Sequence, residues 1–440
     1  MEKLSRSTLA FLWVLLFSIN AVVLSCRPSV DQRDRTVVPV TIFPAQPSLP
    51  PSPEFAGDPR RWSLPPSMPW REVAYLSNRT GLAEIWLLDL ATGLERQLTA
   101  TDCSDAPAGG YRPQWYQPGV DRFAWSPDGQ RIAYLTKCTS VGHLAQLNAI
   151  DLETGSVVSI TNYVESYSYP SWSPSGDAFI FEHDVVTTCD IYVTSIGEDN
   201  RLETERITDN SWDGCFHCPT WSPDGEYITY RGPYTGAAWR TYVSIVDWEG
   251  NHVSYGPEYQ DEHQPRNALW IAEPNCGNLV WSHNGQYLSI ASARGYVPGG
   301  LKIAEVEEQA ATMYGGLISY DRESFGLDFY SPVFSPDDET LYFVSSWPDA
   351  EYGWPMGTVY SVQVRDLLLD SPSPDVQIVS PESQLAGFPA LSQDGEWLLY
   401  AVKVGEAVEI WLQAVDGAYQ QRLIGDGFVN IQPAWRPSSR

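Results

Sequence analysis

The sequence predicts an all-β fold, and three observations lead to this prediction. Of the 440 residues, 43 % are hydrophobic and 13 % aromatic, which is enough to build a large core. Eighteen Trp stand against four Met, and 33 Gly and 34 Pro supply many tight turns. One short phrase, built around Trp-Ser-Pro-Asp-Gly, returns along most of the chain. We therefore predict repeated antiparallel sheets rather than a helical bundle.

The charge of the chain restricts what it can bind. It carries 55 Asp and Glu against 27 Lys and Arg, which gives a formal net charge of −28. Binding to nucleic acid requires clustered cations that offset the phosphate charge. We therefore expect no nucleic acid among the partners.

The N-terminal segment, residues 1–25, has the features of a secretory signal. A charged start precedes the apolar run Thr8–Leu24, which is short for a membrane span of about 20 residues. The run ends at Val23-Leu24-Ser25-Cys26, which resembles the lipobox of bacterial lipoproteins. In that family the cysteine is diacylated and becomes the new N-terminus, so the resemblance implies a lipid on Cys26. A soluble secreted protein and an uncleaved anchor remain as alternatives.

Residues 26–70 are predicted to form a stalk. The stretch Arg27–Pro69 contains 11 Pro and has no regular hydrophobic period. Because proline fixes φ and removes backbone donors, such a stretch is an extended, semi-rigid spacer. We expect it to hold a folded head, residues 71–440, away from a membrane. The expected location is the exported side of the cell envelope, periplasmic or extracellular, with secretion if Cys26 carries no lipid.

The head consists of one repeat. In each copy an apolar segment ends in an aromatic residue or Leu, and a turn of the Ser-Pro-Asp-Gly type follows. The residues at this position lie 44 to 60 residues apart, a spacing that fits the four-stranded blade of a β-propeller. They are Trp125, Trp172, Trp221, Trp281, Phe334, Leu391 and Trp435.

Each repeat predicts four strands in a fixed order. The first ends at the aromatic position, and Ser-Pro-Asp-Gly then turns the chain because Pro presets φ, Asp bonds the backbone and Gly tolerates positive φ. The second strand alternates apolar and polar residues, as in Arg131–Leu135. Glu84–Asp89 is an example of the third strand. The fourth ends in Leu-Thr or Ile-Thr, as in Gln97–Thr99 and Arg206–Thr208.

Trp-Ser-Pro-Asp-Gly followed by an Ile-Tyr or Ile-Trp strand resembles the WD40-like (PD40) repeat of TolB-type β-propellers. The resemblance covers roughly residues 71–440 and concerns the propeller, not the α/β domain that TolB proteins carry before it. Six full copies and the truncated copy Pro433–Pro437 predict seven blades. The C-terminal strand would complete the first blade, Glu72–Thr99, and close the ring. Pro113-Gln114-Trp115 also resembles a leading strand and leaves the start of the second blade open.

Known catalytic motifs are missing from the sequence. It has no Gly-x-Ser-x-Gly elbow, P-loop, dinucleotide-binding Gly-x-Gly-x-x-Gly or His-Glu-x-x-His. We therefore predict a protein that is not an enzyme, without a cofactor or a metal. Some propeller lyases that act on pectin fragments bind a metal through channel His and Gln. The residues available for such a site are His183, His217, His263 and His283, whose spacing does not indicate one.

Six cysteines remain after Cys26, an even number in an exported protein, where disulfides persist. In a propeller they would all lie on one face, in loops after a fourth strand or between a second and third strand. We expect Cys103 to pair with Cys138, Cys189 with Cys215 or Cys218, and Cys276 with whichever of these two remains. Cys215-Phe-His-Cys218 resembles half a zinc knuckle, but a second ligand pair is not evident. The six are Cys103, Cys138, Cys189, Cys215, Cys218 and Cys276.

The same face carries the longest loops, and exposed aromatic residues there could anchor a ligand. We predict a monomeric head that serves as a non-catalytic scaffold for a protein or peptide partner in the cell envelope. The alternative is a carbohydrate-binding or lyase-like propeller that uses the same channel mouth. The candidate ligand-binding residues are Trp239, Tyr259, His263, Trp347, Tyr352 and Trp354.

Overall fold

The computed structural model describes most of the chain from residue 71 onward, all of it within the unit Val38–Arg440. No helix in this part of the chain is long and apolar enough to cross a membrane. The described residues are Leu64, Met68, 71–103, 118–138, 144–165, 169–185, 188–197, 202–208, 216–232, 241–247, 254–255, 269–271, 279–292, 300–307, 310–318, 328–346, 356–369, 374–381 and 384–438.

Strands dominate these ranges, and the one helix within them is α1 (Val364–Leu368). The strands are β1 (Glu72–Ser77), β2 (Glu84–Asp89), β3 (Glu95–Gln97), β4 (Gly119–Trp125), β5 (Arg131–Lys137), β6 (Leu144–Asp151), β7 (Val157–Glu165), β8 (Ser171–Trp172), β9 (Ala178–Val185), β10 (Thr188–Ile196), β11 (Leu202–Arg206), β12 (His217–Trp221), β13 (Tyr227–Arg231), β14 (Thr241–Asp247), β15 (Ser254–Tyr255), β16 (Leu269–Ile271), β17 (Leu279–Trp281), β18 (Tyr287–Ser292), β19 (Gly300–Glu307), β20 (Ala310–Ile318), β21 (Asp328–Phe334), β22 (Thr340–Ser346), β23 (Met356–Gln363), β24 (Val376–Ile378), β25 (Ala386–Leu391), β26 (Trp397–Val404), β27 (Ala407–Ala414), β28 (Gln420–Ile424) and β29 (Asn430–Trp435).

The fold is all-β, as predicted, and its described strands form successive antiparallel four-stranded units, with β15 added in parallel beside β20. Repeat 1 joins β29 to β1, β2 and β3; repeats 2 and 3 are β4–β7 and β8–β11; repeat 4 is β12, β13, β14 and β16. Repeats 5, 6 and 7 are β17–β20, β21–β24 and β25–β28. Two pairs of neighbouring repeats also share backbone pairing, with β7 beside β9 and β23 beside β25.

The predicted Ser-Pro-Asp-Gly turns close through a recurring set of hydrogen bonds. After β4, the Ser126 hydroxyl donates to Asp128 Oδ1 (2.6 Å) and accepts from the Arg131 N–H (2.9 Å). Gly129, at φ 66°, donates its N–H to Ser126 O (2.9 Å). The positive φ explains why glycine occupies this position. Equivalent serine-to-acid or serine-to-amide bonds join Ser222 to Asp224, Ser282 to Asn284, Ser335 to Asp337 and Ser392 to Asp394.

The turns of consecutive repeats pack against one another. A turn glycine faces the turn proline of the preceding repeat so closely that an added Cβ would contact its Cδ atom. The pairs and the Cβ–Cδ distances are Gly176 with Pro127 (3.5 Å), Gly225 with Pro174 (3.6 Å), Gly285 with Pro223 (3.9 Å) and Gly395 with Pro336 (3.1 Å). Gly129 faces Pro437 O, and Arg436 Nε donates to Gly129 O (2.7 Å).

The turns of repeats 5 and 6 depart from this pattern together. His283 stands where most turns have Pro, so it has a backbone N–H; Asp338 stands where the others have Gly, with φ 59°. Asp338 Oδ1 accepts from the His283 N–H (2.7 Å), and Oδ2 accepts from the Asn284 N–H (2.8 Å). Two hydrogen bonds thus replace the glycine–proline contact.

The leading strand of each repeat contacts the next one. By leading strands we mean β4, β8, β12, β17, β21, β25 and β29, each of which runs toward a residue of the repeated aromatic position. In this order each contacts its successor, and Gln432 Nε2 of β29 donates to Asp121 O of β4 (3.1 Å). The terminal indoles tie repeats together, since Trp172 Nε1 donates to Ala124 O and Trp435 Nε1 to Ala390 O, both at 3.1 Å.

The C-terminal strand pairs with the first strand of the described head. In this antiparallel pair Val73 lies opposite Trp435 and Ser77 opposite Asn430. Beyond the strand, the Arg436 N–H donates to Glu72 O (3.0 Å). Trp435 is buried in a core that combines residues of repeats 1 and 7.

A threonine two residues after the fourth strand forms hydrogen bonds with the beginning of the third strand. The Thr99 hydroxyl donates to Glu84 Oε2 (2.5 Å) and accepts from the Ile85 N–H (2.9 Å). In repeat 3, Thr208 makes the same two bonds, to Asp190 Oδ1 (2.9 Å) and from the Ile191 N–H (3.0 Å). The Leu-Thr and Ile-Thr endings seen in the sequence thus satisfy buried acids.

Candidate functional site

The predicted aromatic anchors fall outside the described residues and stay predictions. The same holds for the lipid on Cys26 and for Cys215 and Cys276, two of the six cysteines that we predict to pair. The anchors concerned are Trp239, Tyr259, His263, Trp347, Tyr352 and Trp354.

The predicted Cys103–Cys138 disulfide is confirmed, with the two Cα atoms 5.1 Å apart. It joins the segment after β3 to the end of β5 across 35 residues. Cys189 and Cys218 are disulfide-bonded as well. The assignment of their partners stays a prediction.

Five of the leading strands, β4, β12, β21, β25 and β29, share a one-residue bulge. In four of them, β12, β21, β25 and β29, the bulge includes a proline, which has no N–H to pair across the sheet. The residue before that proline has φ between 48° and 57°, a conformation that costs a residue with a side chain about 1–3 kcal/mol. Such strain concentrates at binding sites, and we call this end of the leading strands the bulge end. The four residues are Cys218, Ser331, Phe388 and Gln432.

Arg122 occupies the equivalent position in β4, three residues before the aromatic, and Tyr169 occupies it in repeat 3. The Arg122 guanidinium lies 4.4 Å from the centre of the Tyr169 ring, and its Nε donates to Asp121 Oδ2 (3.2 Å). Its side chain is 20 % exposed. Burial lowers the pKa of Arg122, but Tyr169, Asp121 and Glu182 raise it by more, so the guanidinium stays charged.

A carboxylate lies beside this arginine in the neighbouring repeat. Glu182 of β9 is fully buried; its Oε2 accepts from the Cys218 N–H (3.1 Å) and lies 3.2 Å from His217 Nδ1. Its Oε1 accepts no hydrogen bond from the described residues. A buried carboxylate is costly unless donors or cations offset its charge. Here His217, a backbone N–H and the nearby charge of Arg122 serve that purpose.

Sequence reasoning missed Glu182, although the repeat contains the signal. It lies six residues after the turn glycine, where the side chain faces the core between sheets. Five other repeats place an apolar residue there, and repeat 4 has the buried Arg231. Charged residues at a core position would have identified repeats 3 and 4 as exceptional. The apolar residues are Leu76, Leu135, Ala291, Val344 and Ala401.

The histidines considered for a metal do not form one cluster among the described residues. His217 lies at the bulge end, beside Glu182, whereas His283 lies in the turn at the other end of its repeat. His183 lies 5.3 Å from the Tyr192 ring, and His263 is outside the described residues. Within the described ranges, no three His, Cys, Asp or Glu side chains are placed to hold a metal ion.

Comparison with known proteins supports the fold and leaves the activity open. No family model matches the sequence, and no curated protein matches it. The chain is similar to the oligogalacturonate lyase of Vibrio parahaemolyticus, at 14 % identity and TM-score 0.50, over 78 % of this chain and 86 % of the lyase. Similarity at this identity concerns the fold alone.

Two further solved structures are similar at lower scores. TolB from Acinetobacter baumannii has 14 % identity and TM-score 0.43, over 84 % of this chain and 67 % of TolB. The β-propeller domain of the Trilobed protease from Pyrococcus furiosus has 14 % identity and TM-score 0.44, over 69 % of this chain and 83 % of that domain. Neighbours of the fold thus include enzymes as well as TolB.

Proposed function

We propose that this chain is an exported lipoprotein whose seven-bladed β-propeller head binds a protein or peptide partner at the bulge end of its leading strands. The observation that carries the proposal is the group formed by Arg122, Tyr169, Glu182 and His217, contributed by three consecutive repeats. Charged groups are held there by aromatic and backbone contacts, in strands whose backbone is strained at the same end. Such an arrangement suits recognition.

Three observations support seven blades and a closed ring. Each leading strand contacts its successor, and the last of the seven bonds to the first through Gln432 and Asp121. The turns of successive repeats contact one another in the same order, and the turn of repeat 2 contacts the C-terminal segment through Gly129 and Pro437. The pairing of β29 with β1 provides the missing strand of the first repeat. A closed ring would remove two free sheet edges.

The membrane anchor is proposed from the sequence alone. If Cys26 is lipidated, a bacterial host given labelled fatty acid will incorporate the label into the wild-type protein. Cys26→Ala will abolish labelling and either release the head or leave the precursor uncleaved. A wild-type protein that takes up no label would contradict the proposed anchor.

The partner-binding role can be tested by capture from native membranes. We expect Tyr169→Ala to reduce recovery of the specific partner at least tenfold, since the ring packs against Arg122 at the proposed site. The matched control is Tyr419→Ala, a tyrosine near the turn of repeat 7, with its ring 5.7 Å from that of Trp397. Equal capture by both variants and the wild type, at unchanged melting temperature, would contradict the site.

A carbohydrate-binding or lyase-like propeller is the second candidate. The likeness to the oligogalacturonate lyase, which shows a shared fold, makes this candidate worth testing. An aromatic ring beside a charged side chain, as in Tyr169 and Arg122, is also suited to a sugar acid. Cleavage of an oligogalacturonate by the wild type would favour this candidate over the scaffold.

A further inference from the structure

We propose that Arg122 binds a carboxylate group of the ligand that enters at the bulge end. This inference rests on the proposed function and specifies the ligand chemistry at that site. It rests on the hydrogen bond that Arg122 makes through Nε and on the donors that it leaves without an acceptor among the described residues.

A guanidinium has two edges that can each receive a carboxylate. Asp121 Oδ2 occupies the Nε of Arg122 (3.2 Å). Nη1 and Nη2, which form the outer edge of the fork, donate to no acceptor among the described residues. Burying these donors without an acceptor would be costly, and the 20 % exposure of the side chain leaves a path for a ligand to reach them.

The open fork is held in place before any ligand binds. The Tyr169 ring supports the guanidinium at 4.4 Å from the ring centre. On the other side, Gln432 Nε2 donates to Asp121 O (3.1 Å), so repeat 1 fixes the backbone next to the arginine. A group fixed in this way loses little side-chain freedom on binding, which favours affinity.

The surrounding charges favour a carboxylate over a phosphate. Glu182 Oε2 accepts from the Cys218 N–H and faces His217, and no hydrogen bond joins this carboxylate to Arg122. A doubly charged phosphate would be repelled by both Asp121 and Glu182. A singly charged, planar carboxylate meets less repulsion and matches the two parallel donors of the fork.

The carboxylate could belong to a peptide C-terminus or to a uronic acid. The test uses the full chain purified in detergent and measures binding by ligand-observed NMR. One pair of probes is acetyl-trialanine as the free acid and as its amide; the other is galacturonate and its methyl ester. We expect at least one acid to bind and its uncharged partner to bind at least tenfold more weakly.

Variants then assign the binding to the fork. Arg122→Gln should weaken the bound acid at least tenfold, and Arg122→Lys should weaken it less, because it keeps the charge and loses the two-pronged geometry. Arg131→Gln is the control, since that arginine lies after the turn of the same repeat and faces Asp151. Melting temperatures establish that the variants fold.

The results separate this inference from the proposed function. A preference for the peptide acid supports the scaffold, and a preference for galacturonate supports the carbohydrate candidate; both support the carboxylate site. If neither acid binds, or if Arg122→Gln binds as the wild type does, the inference is wrong. Partner capture that depends on Tyr169 would stand regardless of that outcome.

Discussion

Among single residues, Thr99 illustrates how one hydroxyl controls the ionisation of a buried acid. Burial raises the pKa of Glu84, and hydrogen bonds from Thr99 and Thr101 oppose this rise. An acid whose pKa is higher in the folded state than its unfolded value of about 4.3 stabilises the fold most when the pH is below that unfolded pKa. This contribution is lost as the pH rises through the folded pKa.

We expect Thr99→Val to destabilise the protein more at pH 7 than at pH 4. At pH 7 the ionised Glu84 loses a charge-assisted hydrogen bond, worth about 1.5–3 kcal/mol. At pH 4 a larger share of Glu84 is protonated in the folded state, so less is lost. Urea unfolding of wild type and variant at both pH values measures the difference, with the exposed Thr92→Val as control. Equal losses at both pH values would contradict the assignment.

Arg122 and Glu182 show what the sequence could and could not predict at the residue level. The sequence alone showed that known nucleophile motifs are missing, and it predicted the disulfide between Cys103 and Cys138. Glu182 could have been found by counting six residues from the turn glycine. The placement of Arg122 could not, because the backbone beside it is bonded by Gln432, which lies 311 residues further along the chain from Asp121.

At the level of elements, the exceptional turns of repeats 5 and 6 allow a direct test of how neighbouring repeats pack against each other. Asp338→Gly removes the acceptor for the His283 and Asn284 N–H groups and should cost about 1–3 kcal/mol. His283→Pro removes one of these donors and should also destabilise. The double variant recreates the glycine–proline contact found between most other turns.

We therefore expect the double variant to lose less stability than the sum of the single losses. The expected interaction energy is about 0.5–3 kcal/mol, as for residues in direct contact. Denaturant unfolding of the four proteins of the cycle measures it. Additive losses would mean that the two departures from the repeat are unrelated.

Strand order and turn positions were predictable because each is encoded locally and repeated. Trp-Ser-Pro-Asp-Gly combines a buried aromatic with a turn that closes through its own side chains, as in Ser126–Gly129. The bulges were not predictable in the same way. Pro433 shows in the sequence that one backbone N–H is missing from the strand. The positive φ of Gln432, however, occurs where β29 pairs with β1, which lies far away in sequence.

For the whole molecule, the seven-bladed interpretation depends on the C-terminal strand. Deleting Ile431–Arg440 removes Trp435 from the core, which typically costs about 3–5 kcal/mol, and exposes the edge of β1. We expect the truncated protein to melt well below the intact one or to precipitate. Melting temperature and solubility are the measurements, and removal of only Ser439 and Arg440 is the control. Unchanged melting would reduce the blade count to six.

The pairing of β29 with β1 also determines when the head can fold. Ribosomes deliver β1 first and β29 last, and the hydrogen bond that Arg79 Nη2 donates to Asn430 Oδ1 (3.5 Å) joins residues 351 positions apart. The first repeat is therefore incomplete until synthesis is almost finished, and long-range pairing of this kind forms slowly. If the chain is exported as we propose, this late completion of the first repeat would keep the head unfolded while the chain crosses the membrane.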